Sequence, residues 1–308
     1  MSGLAEAILS GDLRSIARGI SLVENDPDQQ GAALVRQLFR HGGGAFLVGV
    51  TGAPGAGKST LVDALIARWR RRARTVGVLA IDPTSPFSGG AMLGDRVRMQ
   101  THAQDAGVFI RSMATRGHLG GVARATADAA LVLDAAGKDV VAIETVGVGQ
   151  DEVEIGRTAD VAVVVLVPGM GDDVQAMKAG VMEIADIFVI NKADREGADR
   201  TVAEVDALLN LHAYGEGEWR PPVVRTRATS GEGVESLVEV IEQFGRQADT
   251  VAGRRRQRAA AHLRAVLAAR LMQHLESRVP APEMAALVER VAARSVDPYT
   301  AADEALGS

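Results

Sequence analysis

VGVTGAPGAGKST, residues 48–60, decides the fold that we expect for this chain. The segment contains the full pattern G-x-x-x-x-G-K-[ST], a P-loop signature, between Gly52 and Ser59. An apolar run typical of a strand precedes it, and a helical run with one apolar face follows it. In such a strand–loop–helix unit the glycines let backbone N–H groups surround phosphates, and the helix N-terminus adds a favourable dipole. The motif therefore predicts a nucleoside triphosphate site.

Two side chains of this segment have specific predicted roles. Lys58 is expected to contact the β- and γ-phosphates, and the Ser59 hydroxyl is expected to ligate Mg²⁺. The residues predicted to bind the nucleotide here are Gly52, Ala53, Pro54, Gly55, Ala56, Gly57, Lys58, Ser59 and Thr60.

Short apolar runs alternate with helical stretches along most of the chain. Runs that are apolar on both faces and separated by helices indicate a parallel sheet covered on both sides. We therefore predict an α/β fold, a mostly parallel sheet with helices on both faces, over residues 45–246. The predicted strands are 45–51, 75–82, 108–111, 140–144, 161–167, 187–191 and 223–226.

Both ends of the chain are predicted to be helical. Residues 1–44 form an N-terminal helical extension, in which Asp12 is a candidate N-cap. Residues 247–308 form a C-terminal helical arm. Its polar and strongly basic stretch, residues 247–258, is expected to be a solvated helix start or linker, with phosphate binding as the alternative. The arm carries an apolar stripe of Leu263, Val266, Leu267, Leu271 and Leu275. This stripe needs a partner, either the chain's own sheet domain or a second copy of the protein.

Composition and charge exclude several classes of protein. The 308 residues include 39 acidic and 34 basic side chains, a net charge of −5 that argues against general nucleic-acid binding. Cysteine is absent, which excludes disulfides, thiolate metal sites and Cys nucleophiles. There is no secretory signal pattern, and the longest apolar run, 161–167, is too short to span a bilayer. We expect a cytoplasmic protein that binds neither nucleic acid nor membrane.

The choice of nucleotide base rests on the sequence NKAD, residues 191–194, at the end of a late predicted strand. An Asp in this position can accept hydrogen bonds from guanine N1–H and from the 2-amino group, a pair that adenine does not offer. The segment Thr226-Arg227-Ala228 follows the last strand, where GTPases usually have Ser-Ala, so that Arg227 replaces a small residue. The residues predicted to surround the base are Asn191, Lys192, Asp194, Thr226, Arg227 and Ala228. The predicted ligands are GTP and GDP.

Acidic residues at the ends of other strands are candidates for the metal and the switch regions. Asp82 ends one predicted strand, and Glu144 ends another in ETVG, a D-x-x-G-type element with Glu in place of Asp. Asp95, in a Gly/Ser-rich loop, fits either a site residue or a helix cap. In Ras-like enzymes a water-orienting Gln follows the glycine, but here Val148 does, and Gln150 comes two residues later. We therefore predict slow GTP hydrolysis by the isolated protein.

Six segments together carry a family resemblance: VGVTGAPGAGKST (48–60), LAIDPTS (79–85), LGDRVRM (93–99), RGHLGG (116–121), ETVGVGQ (144–150) and NKAD (191–194). They resemble the MeaB/ArgK family of GTPases, and the likeness runs from Leu13 to residues 297–299. The resemblance implies a P-loop GTPase domain and a chaperone of an adenosylcobalamin-dependent acyl-CoA mutase, such as methylmalonyl-CoA or 2-hydroxyisobutyryl-CoA mutase. Such proteins gate cofactor delivery and protect the mutase, usually as homodimers joined by the C-terminal helical arm.

The resemblance also implies site residues. The implied catalytic residues are Lys58, Asp95 and Glu144, and the implied Mg²⁺ site contains Ser59, Asp82, Asp95 and Glu144. Switch I would fall within residues 82–98, switch II within 144–156, and a third, mutase-responsive switch within 169–178. The implied switch or partner contacts are Gln150, Gln175 and Lys178.

Two alternative functions remain open from the sequence. One is a P-loop kinase or ATPase of amino-acid transport, against which the NKAD motif argues. The other is a nickel-type metallochaperone GTPase, against which the absence of Cys and the six scattered His residues argue. Cobalamin itself is not expected to bind, because the chain has no D-x-H-x-x-G element to supply a lower ligand.

Overall fold

A parallel β-sheet lies at the centre of the computed structural model, which describes residues 2–25, 29–83, 102, 104–115, 121–145, 151–169 and 181–307. Within these residues seven strands form one sheet in the order β3-β2-β4-β1-β5-β6-β7, and all neighbouring pairs are parallel. The strands are β1 Phe46–Thr51, β2 Val76–Pro83, β3 Val108–Thr115, β4 Val140–Thr145, β5 Val161–Leu166, β6 Ile187–Asn191 and β7 Val223–Thr226. The α/β fold and the seven predicted strands are confirmed.

Helices connect the strands and extend the chain at both ends. They are α1 Ser2–Leu9, α2 Leu13–Asn25, α3 Gln30–Leu38, α4 Lys58–Arg71, α5 Gly121–Ala135, α6 Asp151–Thr158, α7 Val181–Ile184, α8 Ala198–Leu209, α9 Val234–Gly245, α10 Ala248–Arg278, α11 Ala281–Ala292 and α12 Pro298–Leu306. A short 3₁₀ turn, Phe39–His41, follows α3.

The sheet has a separate apolar core on each face. Successive strand residues point to opposite faces, so that Val48 and Val50 of β1 join one core while Leu47 joins the other. Helices α4 and α9 cover the first face. Helices α1, α2, α3, α5 and α6 cover the second, and α8 packs on the same side beside β5 and β6. Because both faces are covered, the strands are apolar throughout rather than alternating.

The N-terminal helices pack on the sheet domain through α5. Ile8, Ile16 and Ile20 are completely buried in the core that α5 shares with the sheet. Helix α2 is capped as predicted, because an oxygen of Asp12 accepts a hydrogen bond from the Ser15 N–H at 2.7 Å. The division of the chain into residues 1–44, 45–246 and 247–308 stays a prediction.

Helix α10 is held against the sheet domain by ion pairs. The expected helix start is confirmed, and Arg255 and Arg256 are exposed, but the expectation of solvation is wrong for Arg254 and Arg258. Arg258 donates to Asp160 at 2.8 Å, and Arg254 donates to Asp186 at 2.5 Å. Both aspartates are buried, and each also accepts a backbone N–H from a neighbouring strand. One turn further along, His262 contacts Asp128 at 2.8 Å. The basic residues recur every four positions because that spacing places them on one face of the helix.

The distal half of α10 carries exposed apolar side chains. Leu263, Leu267 and Leu271 are 59%, 52% and 69% exposed. Among the residues that the structure describes, three leucines of the predicted apolar stripe are therefore left exposed, whereas Val266 and Leu275 are partly buried. Over the same residues, no helix combines the length and the apolar character needed to cross a membrane.

Candidate nucleotide site

The predicted phosphate site lies where β1 leads into α4. Two glycines of the loop are required by its geometry. Gly57, directly before α4, has φ 90°, and Gly52 has φ 140°, both in the region that side chains disfavour. A Cβ atom on Gly52 would also lie 2.2 Å from the carbonyl oxygen of Val165 in β5. The loop is therefore packed tightly against the central strands, with the first turn of α4 directly behind it.

Lys58, the first residue of α4, reaches back over this loop. Its Nζ donates hydrogen bonds to the carbonyl oxygens of Gly52 at 2.7 Å and Ala53 at 3.0 Å. Lys58 is only 6% exposed, so its ammonium group is held inside the loop rather than in solvent. This places a positive charge where the P-loop motif predicts phosphates.

Ser59 and Glu144 meet at the carboxyl end of the sheet. The Ser59 hydroxyl donates to Glu144 Oε1 at 2.6 Å, although the two residues are 85 positions apart. Directly after Glu144 in β4, the Thr145 hydroxyl donates to the hydroxyl of Thr51, the last residue of β1, at 2.8 Å. This contact places Glu144 beside the P-loop residue Ser59, while its predicted role at the metal and the phosphates stays a prediction. Thr51 and Thr145 were not predicted, since a threonine at a strand end has no distinguishing pattern.

The oxygens of Ser59 and Glu144 fit the needs of Mg²⁺. This ion takes oxygen ligands and is usually held by one or two protein oxygens together with substrate phosphates. In the described part of the chain, no three His, Asp or Glu side chains are grouped closely enough to bind a metal by themselves. Asp82 lies in β2, two positions after Ala80, the register partner of Glu144. Its backbone is thus at the same edge of the sheet.

Asn191, at the end of β6, connects three loops of the site. Its amide nitrogen donates to the Ala56 carbonyl at 2.8 Å, which ties it to the P-loop. Its side-chain oxygen accepts hydrogen bonds from the Thr226 hydroxyl and the Ala228 N–H, both at 3.1 Å. Lys192 adds a second link, from Nζ to the Gly55 carbonyl at 2.7 Å. The predicted phosphate and base segments are therefore adjacent.

A cavity of about 190 Å³ opens between these segments. Among its lining residues are Asp194 and Arg227, whose side chains form an ion pair with Nε 3.7 Å from Oδ2. Thr60 of α4 and Asn191 also line it, so the cavity adjoins the phosphate loop. Arg195 and Thr229 are further lining residues that the sequence analysis missed. Only their position next to a motif could have indicated them.

Four predicted site residues fall outside the described residues: Asp95, Gln150, Gln175 and Lys178. The predicted site residues that the structure brings together are those of the P-loop, Glu144, and the loops after β6 and β7. Such an arrangement can hold phosphates, a divalent cation and a base on one edge of a parallel sheet.

Comparisons with known proteins agree with this arrangement. Residues 16–281 match the family model described as methylmalonyl Co-A mutase-associated GTPase MeaB. A Pyrococcus abyssi protein whose name describes it as a GTPase is 51% identical over 305 residues, which cover 97% of this chain and 94% of that protein. The mitochondrial methylmalonic aciduria type A homolog of Mus musculus is 34% identical over 320 residues, which cover 97% of this chain and 77% of the mouse protein.

A solved structure shares the fold over nearly the whole chain. The crystal structure of an LAO/AO transport system kinase superposes with a TM-score of 0.72 at 26% sequence identity, covering 99% of this chain and 96% of that one. The resemblance inferred from the six motif segments is confirmed. This chain is a P-loop GTPase that belongs to the family of methylmalonyl-CoA mutase-associated GTPases typified by MeaB.

Proposed function

We propose that this GTPase is a chaperone of an adenosylcobalamin-dependent acyl-CoA mutase, either methylmalonyl-CoA mutase or a close relative such as 2-hydroxyisobutyryl-CoA mutase. Its GTP cycle gates delivery of adenosylcobalamin to the mutase and protects the mutase from inactivation. The observation that carries this proposal is the match of residues 16–281 to a family described by its association with methylmalonyl-CoA mutase. That match spans the P-loop, the base motif and all of α10.

Within the site, Lys58 is the proposed partner of the β- and γ-phosphates. Its Nζ already lies inside the loop on two backbone carbonyls, so exchanging these acceptors for phosphate oxygens needs only a local movement. Ser59 and Glu144 would hold Mg²⁺, together with Asp82 and Asp95. The bound ion would supply positive charge that offsets the charge of the phosphates. Intrinsic turnover is expected to be slow, because Val148 occupies the position of the water-orienting Gln.

Asp194 is the proposed reader of guanine. It lines the 190 Å³ cavity beside the P-loop, and Asn191 fixes the surrounding loops through three hydrogen bonds. Competition with a labelled guanine nucleotide tests this role and the rival kinase function together. We expect ATP to displace the label much less effectively than GTP, and Asp194→Asn to prefer XTP over GTP. Displacement by ATP that equals that by GTP would favour the transport-kinase alternative.

We further propose that the protein is a homodimer joined by its C-terminal arm. The supporting observation is the exposure of Leu263, Leu267 and Leu271 on the distal half of α10. These residues recur every four positions, so they form one continuous apolar stripe. A contiguous exposed apolar surface of this kind marks a protein contact more often than a solvated face.

Affinity capture from the source organism tests the chaperone role. The tagged protein is loaded with GDP or with a non-hydrolysable GTP analogue, and captured proteins are identified by mass spectrometry. We expect an adenosylcobalamin-dependent acyl-CoA mutase to be enriched in a nucleotide-dependent manner, and the purified mutase to raise GTP turnover. Lys58→Ala, which should not cycle, is the matched control. If no such mutase is enriched in either state and turnover does not respond to it, the chaperone role is wrong.

A further inference from the structure

Arg227 stands beside the residue proposed to read the guanine base. It follows β7 in the position where the sequence analysis expected a small residue. Its Nε lies 3.7 Å from Asp194 Oδ2, and the two side chains are 48% and 46% exposed. Both line the same cavity beside the P-loop. Arg227 therefore lies at the proposed base site and forms an ion pair with the acidic residue of that site, so it is placed to influence base binding.

The backbone of Arg227 is held firmly, so the reach of its side chain is limited. The Arg227 N–H donates to the Glu232 carbonyl at 3.0 Å, and its own carbonyl accepts from the Ser230 N–H at 3.1 Å and the Ser230 hydroxyl at 3.2 Å. The Ala193 N–H donates to the Thr226 carbonyl at 3.0 Å. A backbone hydrogen bond therefore joins the loops that carry Arg227 and Asp194, and it keeps the guanidinium group of Arg227 close to the Asp194 carboxylate.

The ion pair leaves the Asp194 oxygens able to accept further hydrogen bonds. At 3.7 Å the Nε–Oδ2 contact is longer than a hydrogen bond. An ionised carboxylate has about four acceptor positions on its two oxygens. Guanine needs two of them, one for N1–H and one for the 2-amino group. Arg227 and a base can therefore contact Asp194 at the same time, and the pair need not compete with nucleotide binding.

We propose that Arg227 is a positioning residue for guanine recognition, which holds the Asp194 carboxylate in the orientation that accepts both hydrogen bonds. The inference rests on the proposed role of Asp194. A half-exposed carboxylate rotates freely unless a neighbour restrains it, and accepting two parallel donors requires both oxygens in one plane with the base. A single hydrogen bond from N1–H can follow the carboxylate as it rotates, whereas two parallel bonds cannot. Arg227 therefore acts mainly on the second hydrogen bond, the one from the 2-amino group.

Binding of GDP and IDP separates this role from others. Inosine lacks the 2-amino group, so the ratio of GDP to IDP affinity measures the second hydrogen bond to Asp194. Exposed ion pairs typically contribute an effect of up to about fivefold. We therefore expect Arg227→Ala to lower the GDP/IDP ratio by about two- to fivefold, and Arg227→Lys to recover part of it. Arg225→Ala is the matched control, because Arg225 pairs with Asp199 and does not line the cavity.

Several outcomes would overturn the inference. If Arg227→Ala weakens GDP and IDP equally, the arginine contacts the nucleotide elsewhere; if both bind more tightly, it competes with the base. The double variant with Asp194→Ala supplies the remaining check, since the Arg227→Ala effect on the ratio should vanish in that background. If Asp194→Ala alone leaves the ratio unchanged, then Asp194 does not read the 2-amino group. That result would refute the proposed base contact and, with it, the role of Arg227.

Discussion

Removing Arg258 from helix α10 should destabilise the whole protein rather than only the arm. Its Nη1 donates to Asp160 Oδ1 at 2.8 Å, and Asp160 is fully buried directly before β5. The second oxygen of Asp160 accepts the Leu47 N–H of the neighbouring β1 at 3.0 Å. Arg258→Ala therefore leaves a buried carboxylate beside the two central strands without its closest cation.

The expected cost follows from the burial of the pair. Breaking a fully buried ion pair by removing one partner costs about 3–5 kcal/mol. Arg258 is itself 24% exposed, and Arg255 remains 3.7 Å from the same carboxylate. Water and Arg255 will both compensate in part, so we expect a loss of about 1.5–3 kcal/mol in the free energy of unfolding. Asp160→Asn keeps an acceptor for Leu47 while removing the charge, and it should restore part of the loss in the Arg258→Ala background.

Equilibrium unfolding in urea measures these changes in the free energy of unfolding. At an unchanged m-value, a shift of the urea midpoint reports the change in stability. Arg200→Ala is the matched control, because Arg200 is 83% exposed and pairs with Glu204 on the surface of α8. That variant should lose less than about 0.5 kcal/mol. If Arg258→Ala costs no more than Arg200→Ala, or if Asp160→Asn adds to its effect instead of relieving it, the ion pairs do not hold α10 against the sheet.

Three other predictions concern phosphate binding, assembly and pH. Lys58→Ala should weaken GTP binding or turnover by at least about tenfold, the effect of one charge-assisted hydrogen bond; unchanged hydrolysis would refute the phosphate role. Leu267→Glu should convert a dimer to a monomer by light scattering, whereas Leu211→Glu, an equally simple change at an exposed leucine outside the arm, should not. Hydrogen bonds from Arg70 hold the pKa of Asp105 below its usual 3.8, so this carboxylate stabilises the fold above about pH 4 and less as pH falls. As the pH falls below about 4, the Asp105→Asn variant should lose less stability than the unchanged protein. Equal losses of stability in the two proteins would contradict this role of Asp105.

The strands and the phosphate loop could be predicted because their signals are local. A strand buried on both faces needs an unbroken apolar run, and a P-loop needs its glycines at fixed spacing whatever the rest of the chain does. All seven strands were found in this way, and Gly52 and Gly57 have the backbone angles that explain their identity. The base motif could be recognised for the same reason, since Asn191 to Asp194 are consecutive residues that begin at the end of β6.

The role of the basic run in α10 could not be predicted, because it depends on residues far away in the chain. From the sequence, Arg254 and Arg258 have the appearance of a solvated helix start. In the structure Arg254 pairs with the buried Asp186, directly before β6, and Arg258 pairs with the buried Asp160, directly before β5. Burial raises the pKa of Asp186 although Arg254 beside it acts in the opposite direction. The sequence contains the four-residue spacing of Arg254, Arg258 and His262, but it does not show that their partners are buried aspartates far away in the chain.

The sequence by itself determined the parallel sheet, the phosphate loop, the guanine motif and the family, since each is encoded in short segments whose pattern is local. Only the tertiary structure decided which distant groups meet. It placed Ser59 on Glu144, 85 residues away, and Arg227 beside Asp194 at the base cavity. The physical reason is that a hydrogen bond or ion pair depends on distance in space, which the chain reaches only after the sheet has aligned the carboxyl ends of its strands.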